Sequence, residues 1–465
     1  MTGRSRFIVL GVLFASVATG CATTDPSADI DASAGQVAER TGLAVDWKPG
    51  SEARAGDIWD GRGDLTARQA VTMALADNSA IRADLAGIAV ARSDFAQAHL
   101  PANPVANVMA GWNVDSAASM LTAGVMQSLS SLWLMPARKQ AAQARLQQAI
   151  LQTTDDAINL AARVEQSHRR IVFHQRLLPV LAERRNLLSQ AQKAAKTKLR
   201  AGMGSSLDIN RVRTALLELE AQQRAARSEL ALEKHKLLEM INRADAPANW
   251  AAETTDENTN PAPDEQALVE LAREHRLDLL AATWSVRARQ ARLREAELDA
   301  LPDVSLGVGG EREVPTNGKT MTKIGPAVQM ELPIFDQGQA QIAKAKAQLE
   351  QARMESRLAD QKASREVRRA REVLATAARQ VQAYRADIVP LAQRNVTDAQ
   401  SSFEAGTLDL LDLLTAQRNV THAKAQLLKH QMQRDLARID LARAVGGWKI
   451  LEALNKREPL SKTQP

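Results

Sequence analysis

Side chains that could do chemistry are few in this sequence, and they do not form the sets found in catalytic sites. The seven histidines are scattered, and no His or Cys pair lies at the spacing of metal ligands. The sequence has no Gly-rich phosphate loop and no candidate Ser/His/Asp set. We therefore predict a protein that is not an enzyme and that uses no cofactor.

One pattern of glycine and acidic residues occurs twice with the same internal spacing. Ala201-Gly202 is followed by Leu207-Asp208, and Ala405-Gly406 is followed by Leu411-Asp412. Glycine commonly takes the left-handed conformation just past the end of a helix. A carboxylate in the first turn of the next helix is stabilised by the helix dipole. Each motif therefore predicts a tight turn between two helices.

The only cysteine, Cys21, could carry a covalent modification. It follows Ala18-Thr19-Gly20, small residues that resemble a bacterial lipobox, in which the cysteine thiol is acylated. A charged stretch with two arginines and the apolar run Phe7 to Val17 precede it, as in a signal peptide. We expect Cys21 to be lipidated. The alternative is an ordinary cleaved signal with an incidental cysteine.

The composition favours long helices. The chain is 45% hydrophobic and 25% charged but only 3% aromatic, which is typical of long helices and coiled coils. No basic block with interleaved aromatic residues occurs, which argues against nucleic acid as a partner. After the signal, no stretch approaches the ~18 consecutive apolar residues of a transmembrane helix. If the mature chain crosses a membrane, strands must do so.

Two copies of one pattern, about 200 residues apart, predict a duplicated fold. Each copy opens with an amphipathic helix, over 65–98 and over 264–300, and passes through a β segment into long Ala-, Gln- and Lys-rich helices. The predicted division of the chain is a lipoprotein signal peptide at 1–20, an N-terminal extended segment at 21–63, a first repeat at 64–250 with a β-hairpin at about 103–130, a linker at 251–263, a second repeat at 264–447 with a β-hairpin at about 303–333, and a C-terminal tail at 448–465.

Each repeat contains a helical hairpin that is far longer than a globular domain of this size. The first helix of the hairpin ends at Gly202 or Gly406 and would extend about 100 Å at 1.5 Å per residue. Pro179 and Pro390 interrupt these helices and should kink them or loosen a turn. In each return helix, eight of ten seam positions of a heptad are apolar, which predicts packing on the preceding helix. The seams are Ile209, Val212, Leu216, Leu219, Gln223, Ala226, Leu230, Glu233, Leu237 and Met240, and Leu413, Ala416, Val420, Ala423, Leu427, His430, Arg434, Ala437, Leu441 and Ala444.

Four segments alternate apolar and other residues with the period of a strand. Each is long enough to cross a bilayer when tilted, and they form two hairpins that turn near 115–119 and 315–318. Four strands cannot close a membrane barrel, so insertion would require oligomerisation. Three copies would give twelve strands and a closed barrel wide enough for solutes. Hairpins that pack on helices in water are the alternative. The predicted apolar faces are Ala106, Val108, Ala110, Trp112 and Val114; Leu121, Ala123, Val125 and Leu129; Val304, Leu306 and Val308; and Ile324, Val328, Met330 and Leu332.

The sequence resembles the TolC-like outer membrane factor family over nearly all of the mature chain. Residues 100–104, Leu-Pro-Ala-Asn-Pro, resemble the family's sequence before its first strand, and residues 332–338, Leu-Pro-Ile-Phe-Asp-Gln-Gly, resemble its sequence before the second long helix. The repeated tips at 201–208 and 405–412 are the most specific parts. The first repeat departs at 130–133, where Pro-x-Phe-x-x-Gly is the family's pattern.

The resemblance implies a mainly α protein with a small β part. In this TolC-like fold, long helical hairpins form a periplasmic tunnel, and four strands per protomer contribute to a trimeric 12-stranded barrel in the outer membrane. The implied function is a passive exit duct for efflux, surrounded by outer-membrane lipid. A periplasmic adaptor (membrane fusion protein) and an inner-membrane pump, of the resistance-nodulation-division type, would deliver the substrate.

Two questions stay open at the level of the sequence. Arg40-Thr41-Gly42 and Trp47 are similar to the CzcC-like heavy-metal efflux subgroup, so both heavy-metal cations and drugs remain possible substrates. The alternative function is a periplasmic adaptor lipoprotein, since adaptors also combine a lipid anchor with a helical hairpin. The presence of two hairpins, each preceded by strands, argues against this alternative.

The resemblance also implies roles for residues of the tips. Asp412 matches a position that lines the periplasmic constriction of the tunnel, whereas Thr415 replaces a second acidic position, for which Asp409 could compensate. A ring of three aspartates would favour cations. Stabilisation of the helix terminus is the other interpretation, and it is preferred for Asp208. The residues assigned to the tip turns and to contact with the adaptor are Gly202, Leu207, Asp208, Gly406 and Leu411.

Overall fold

The computed structural model describes residues 23–47, 58–61, 63–112, 119–254, 263–315 and 318–456. Cys21, the signal peptide and most of the first hairpin turn lie outside these residues. The elements before and within the first repeat are α1 (Ser27–Thr41), α2 (Ala67–Asp77), α3 (Ser79–Gln97), β1 (Val105–Trp112), β2 (Ser119–Ser128), α4 (Ser130–Arg200) and α5 (Ser206–Met240). Those that follow are α6 (Glu265–His275), α7 (Leu277–Asp299), β3 (Val304–Val314), β4 (Met321–Met330), α8 (Gln339–Ala383), a π-helical turn (Tyr384–Ile388), α9 (Val389–Glu404), α10 (Leu410–Ala444) and α11 (Trp448–Lys456).

The amphipathic helix predicted at the start of each repeat is in fact two helices. The break falls at Asn78 between α2 and α3, and at Arg276 between α6 and α7, where both residues have extended backbone. The Asn78 amide donates to the Met240 carbonyl, and the buried Arg276 guanidinium pairs with Glu366 at 2.8 Å. These bonds to other elements stabilise the same interruption in both repeats.

The segment expected to be extended, 21–63, contains helix α1, so that part of the prediction is wrong. The carboxylate of Asp25 accepts from the Ser27 amide at 3.0 Å, which satisfies a backbone donor at the start of the helix. The helix is then fixed by a buried Asp29, which accepts two hydrogen bonds of 2.6 Å from Arg92. Tertiary contacts of this kind cannot be read from local sequence preference.

The two prolines of the long helices have different consequences. Directly before Pro390 the chain forms a π-helical turn, in which the Val389 amide bonds the Tyr384 carbonyl five residues back. The predicted loosened turn is therefore present there. In α4, by contrast, the helix continues through Pro179. Leu178 and Leu181 pack there against α5, which offsets the missing backbone hydrogen bond.

The four strands form one antiparallel sheet in the order β1-β2-β3-β4. In the pairing register, Val108 lies opposite Ala123, and Val125 lies opposite Val308, which lies opposite Pro326. Directly opposite residues share a face, so the predicted apolar positions within all four strands lie on the same side of the sheet. β1 and β4 are the edge strands. Pro326, which lacks an amide donor, is accommodated on such an edge.

The chain divides into two compact units. Among the described residues, the sheet unit consists of residues 23–29, Leu85–Gln152 and Asp278–Ala359, and it contains the four strands. The helical unit consists of Ile30–Asp84, Thr153–Leu277 and Asp360 onward. Each unit draws on both repeats. No helix among the described residues is long and apolar enough to cross a membrane.

The cores of the helical unit follow the predicted heptads. All twenty seam positions of α5 and α10 are buried or half-buried. Leu219 packs with Leu181 and Leu188 of α4, and Leu441 packs with Val367 of α8. The polar seam residues Gln223, Glu233 and Arg434 are buried as well. The mainly helical fold with a small β part, predicted from the sequence, is confirmed.

Candidate functional site

The two predicted tip turns are both in the helical unit. Gly202 and Gly406 follow α4 and α9 with φ angles of 75° and 80°, in the left-handed region that favours glycine. The amide of Met203 bonds the Lys198 carbonyl, and the amide of Thr407 bonds the Ser402 carbonyl. These bonds close the ends of both helices in the same way.

A shared apolar cluster joins the two tips. Ala191 and Ala195 of α4, Val212 of α5, and Phe403, Leu410 and Leu413 of the second tip are all buried in it. Lys198 adds a polar contact: its ammonium lies 3.7 Å from the centroid of the Phe403 ring and donates to the Phe403 carbonyl at 3.2 Å. Lys198 and Phe403 were not singled out from the sequence, because each could belong to any helix end.

Asp208 has a structural role in the first tip. Ser205 precedes α5 with extended backbone, and its hydroxyl accepts from the Asp208 amide at 3.2 Å. The Asp208 carboxylate in turn accepts from the Ser205 amide at 3.1 Å and from the Ser205 hydroxyl at 2.9 Å. This reciprocal capping box leaves the carboxylate engaged with the backbone. Arg211 pairs with it at 3.6 Å.

Asp412 occupies the equivalent position in the second tip but has different surroundings. The residue before α10 is Asp409, which caps the helix by accepting from the Leu411 amide at 3.2 Å. The Asp409 side chain cannot supply the additional hydroxyl donor that Ser205 gives to Asp208, and its carboxylate repels that of Asp412. No capping box forms at this helix start. Asp412 is exposed, and its carboxylate has no hydrogen bond or ion pair among the described residues.

The other predicted tip residues are exposed or serve the helix. The Thr415 hydroxyl donates to the Leu411 carbonyl at 2.8 Å, one turn back in the same helix. Leu207 and Leu411 are about half exposed at equivalent positions. The structure therefore places Asp409, Asp412 and Thr415 at the start and on the first two turns of one helix. Of the two acidic residues, Asp412 is the one whose carboxylate has no hydrogen bond or ion pair among the described residues.

An ion pair links the two hairpins along their length. The Lys424 ammonium of α10 lies 2.8 and 2.7 Å from the two carboxylate oxygens of Glu183 in α4. Nearby, burial lowers the pKa of the Arg184 guanidinium, and the neighbouring Arg418 lowers it further. The hairpins are thus joined by charged contacts as well as by the apolar seams.

The Arg40-Thr41-Gly42 segment has a packing role in the helical unit. Gly42 ends α1 with φ of 75°. A Cβ atom at Gly447 would lie 2.7 Å from the Arg40 Cβ, so the turn after α10 packs directly on α1. The Trp47 indole donates to the Leu75 carbonyl at 2.7 Å. Arg40, Gly42 and Trp47, which are similar to the CzcC-like subgroup in sequence, therefore also stabilise the packing of the helical unit.

A cleft of about 560 Å³ in the helical unit lies beside these residues. Glu165 on its wall accepts from the Trp448 indole at 2.9 Å and pairs with Arg169 at 3.6 Å. Burial raises the pKa of the Glu165 carboxyl, although Arg169 opposes this shift. Among the described residues no group of three His, Cys, Asp or Glu side chains could hold a metal ion.

In the sheet unit, the predicted apolar face is exposed. Val108 and Trp112 of β1 are 73% and 80% exposed, and Ile324 and Val328 of β4 are similarly open. The apolar face continues across all four strands, and both edge strands lack a partner strand within the described chain. An apolar patch of this extent is typical of a surface that contacts lipid or another protein.

Comparison with known proteins identifies the class of fold. Residues 268–447 match the family model described as outer membrane efflux protein. The chain is 24% identical over 271 residues to the cobalt-zinc-cadmium resistance protein CzcC of Cupriavidus metallidurans, covering 58% of this chain and 63% of that protein. It is 26% identical over 459 residues to the outer membrane protein OprJ of Pseudomonas aeruginosa, covering 91% of each.

A solved structure supports the same fold. The solved structure of CusC superposes on this chain with a TM-score of 0.71 at 17% identity, and the alignment covers 83% of this chain and 93% of CusC. That structure is described in terms of folding and transmembrane channel formation. The alignment with CzcC spans less than two thirds of CzcC, whereas those with OprJ and CusC span nearly all of each protein. The TolC-like fold predicted from the sequence is confirmed.

Proposed function

We propose that this chain, which belongs to the outer membrane efflux protein family, is the outer-membrane channel of a tripartite efflux system. It works as a passive exit duct and performs no chemistry. The observation that carries this proposal is the sheet, which combines a continuous exposed apolar face with two unpaired edges. Unpaired edges are not tolerated in lipid. Three copies would pair their edges and close twelve strands around a pore.

The helical unit supports the second part of the proposal. Two antiparallel hairpins per copy, held by apolar seams and by the Glu183–Lys424 ion pair, would give twelve long helices in a trimer. These helices form a periplasmic tunnel, and the tips lie at its inner end. The half-exposed Leu207 and Leu411 are apolar contacts for a periplasmic adaptor. The adaptor in turn connects the channel to an inner-membrane pump of the resistance-nodulation-division type.

The substrate class favoured is heavy-metal cations. The similarity to a cobalt-zinc-cadmium resistance protein supports this choice. The single unpaired Asp412 of each copy supports it too, since three copies would form a ring of carboxylates, which attracts cations. Drugs are the second candidate, because OprJ aligns over more of the chain.

The adaptor alternative is not favoured, since the family and the solved structure are those of channels. Cys21, if acylated, adds a lipid anchor at the outer membrane.

The proposal is tested by reconstituting the purified protein in planar lipid bilayers. We expect discrete conductance steps with a preference for cations. Asp412→Asn should lower the ratio of cation to anion permeability, because it removes a charge that no neighbour neutralises. Asp208→Asn is the matched control, and it should leave selectivity unchanged, since the capping box and Arg211 already engage that charge.

The channel function and the role of Asp412 in ion selectivity can be contradicted independently of each other. A protein that inserts in bilayers without any conductance would contradict the channel function. Conductance with the same ion selectivity in the Asp412→Asn variant as in the unaltered protein would leave the channel function intact and remove Asp412 from the constriction.

A further inference from the structure

The face of the sheet opposite the apolar one has an unusual composition. In the pairing register it carries five glycines, at positions 111, 124, 307, 309 and 325, together with polar residues such as Asn107, Thr122 and Gln329. It also carries four methionines: Met109, Met120, Met126 and Met321. The remaining strand methionine, Met330, lies on the apolar face with Val328 and Ile324, where a hydrophobic side chain is expected.

Three of these methionines lie close together around one carboxylate. Met120 of β2 is directly opposite Glu313 of β3, and Glu313 is directly opposite Met321 of β4. Neighbouring strands are about 4.8 Å apart, so the two thioethers flank Glu313 on adjacent strands. Met109 of β1 is diagonal to Met120, within reach of a long side chain. Gly111, opposite Met120, has no side chain that would fill the space.

The side chains of this group are accessible and available. Met109, Met120 and Met321 are 66%, 38% and 53% exposed. Glu313 is exposed, and its carboxylate has no hydrogen bond or ion pair among the described residues. Met109 and Met321 are thus more than half exposed, and an aqueous pore wall gains nothing from exposed thioethers as hydrophobic groups.

The chemistry of the thioether points to a ligand. Methionine sulfur is a soft donor, and soft donors select Cu⁺ and similar ions over harder divalent cations. A carboxylate adds an attraction for any cation. We propose that Met109, Met120, Met321 and Glu313 form a weak binding site for a soft monovalent metal cation on the inner wall of the pore. This inference rests on the proposed channel function, which places this face toward the lumen. It concerns a class of cation different from the divalent metals in the name of CzcC.

Silver ion is a suitable probe, because it is soft, monovalent and stable in air in halide-free buffer. We expect micromolar Ag⁺ to reduce the conductance of the reconstituted protein reversibly, with free methionine restoring it. The double variant Met120→Leu/Met321→Leu should require at least tenfold more Ag⁺ for the same effect. Leucine has a similar volume, so the fold is preserved. Met330→Leu, on the apolar face, is the matched control and should respond as the unaltered protein does.

A second readout does not depend on conductance. Calorimetric titration of the purified protein with Ag⁺ should show a binding component that is lost in the double variant and kept in Met330→Leu. Cys21 is the same in all three proteins, so its contribution cancels in the comparison. Equal Ag⁺ responses in the double variant and the unaltered protein would overturn the inference, as would an equal effect of Zn²⁺. Absence of conductance together with Met-dependent Ag⁺ binding would instead contradict the channel function alone.

Discussion

At the scale of single residues, equivalent positions in the two repeats differ in their chemistry. Asp208 and Asp412 follow the same glycine motif, yet only Asp208 is held by a capping box. The difference arises three residues earlier, where the Ser205 hydroxyl donates to the Asp208 carboxylate, whereas the side chain of Asp409 is a second carboxylate that repels Asp412. Both repeats have the turn and its glycine, and Asp409 stands where the first repeat has Ser205, which leaves the Asp412 carboxylate exposed and unpaired among the described residues.

The sequence contained part of this information. The position of Asp208 in the first turn of a helix predicted that it stabilises the helix terminus, and the glycines predicted the left-handed turns. The contact between Lys198 and Phe403 could not be predicted, because it joins residues about 200 positions apart. The proximity of Met120, Glu313 and Met321 could not be predicted either, since it depends on the pairing register of three strands.

A buried histidine gives the helical unit a specific pH dependence. His168 in α4 is fully buried, and one ring nitrogen donates to the Leu65 carbonyl at 2.8 Å. Burial lowers the pKa of His168 to about 4. The unfolded chain takes up this proton near pH 6.5. Stability is therefore lost as the pH falls from about 6.5 to about 4, by up to about 3 kcal/mol.

The measurement is the free energy of unfolding at pH 7.5 and pH 4.5. His168→Gln keeps a donor for the Leu65 carbonyl but cannot titrate, so its stability should fall less between the two pH values. His422→Gln, at an exposed position of α10, serves as a control and should follow the unaltered protein. An equal loss in the His168 variant and the unaltered protein would show that this histidine does not contribute.

At the scale of elements, the structure corrects several predicted helix boundaries but has the predicted order of helices and strands in each repeat. Heptads predicted the buried seams well, because a coiled-coil seam is a local periodic pattern. The breaks at Asn78 and Arg276 were missed, because their side chains bond residues on distant elements. Pro390 and Pro179 show the same limit: one sits after a π-helical turn and the other within an unbroken helix.

The helix turns make a prediction about glycine. Gly202 has positive φ, and a Cβ atom there would meet nothing within 4 Å, so the cost of alanine is the strained backbone alone. Gly202→Ala should lower the free energy of unfolding by about 1 kcal/mol. Gly87→Ala, within α3 and also in open space, should instead raise it by about 0.5–1 kcal/mol. Urea unfolding followed by circular dichroism measures both, and changes of the same sign would be inconsistent with this account.

At the scale of the whole molecule, the sheet is the part of the chain that leaves apolar surface and strand edges without partners among the described residues. Each copy supplies four strands with a shared apolar face and two open edges, while its helices pair through internal seams. The helical hairpins can therefore satisfy much of their apolar surface within one chain, and the sheet cannot. In the proposed function it is therefore the strands that would require assembly.

The mass of the native particle tests this requirement most directly. Protein extracted from outer membranes in mild detergent and measured by native mass spectrometry should have about three times the 50.5 kDa mass of the chain, less any cleaved signal. Replacing exposed apolar residues such as Val108 and Ile324 with lysine should reduce the amount of this particle in the membrane. A stable, water-soluble monomer as the native form would contradict the account.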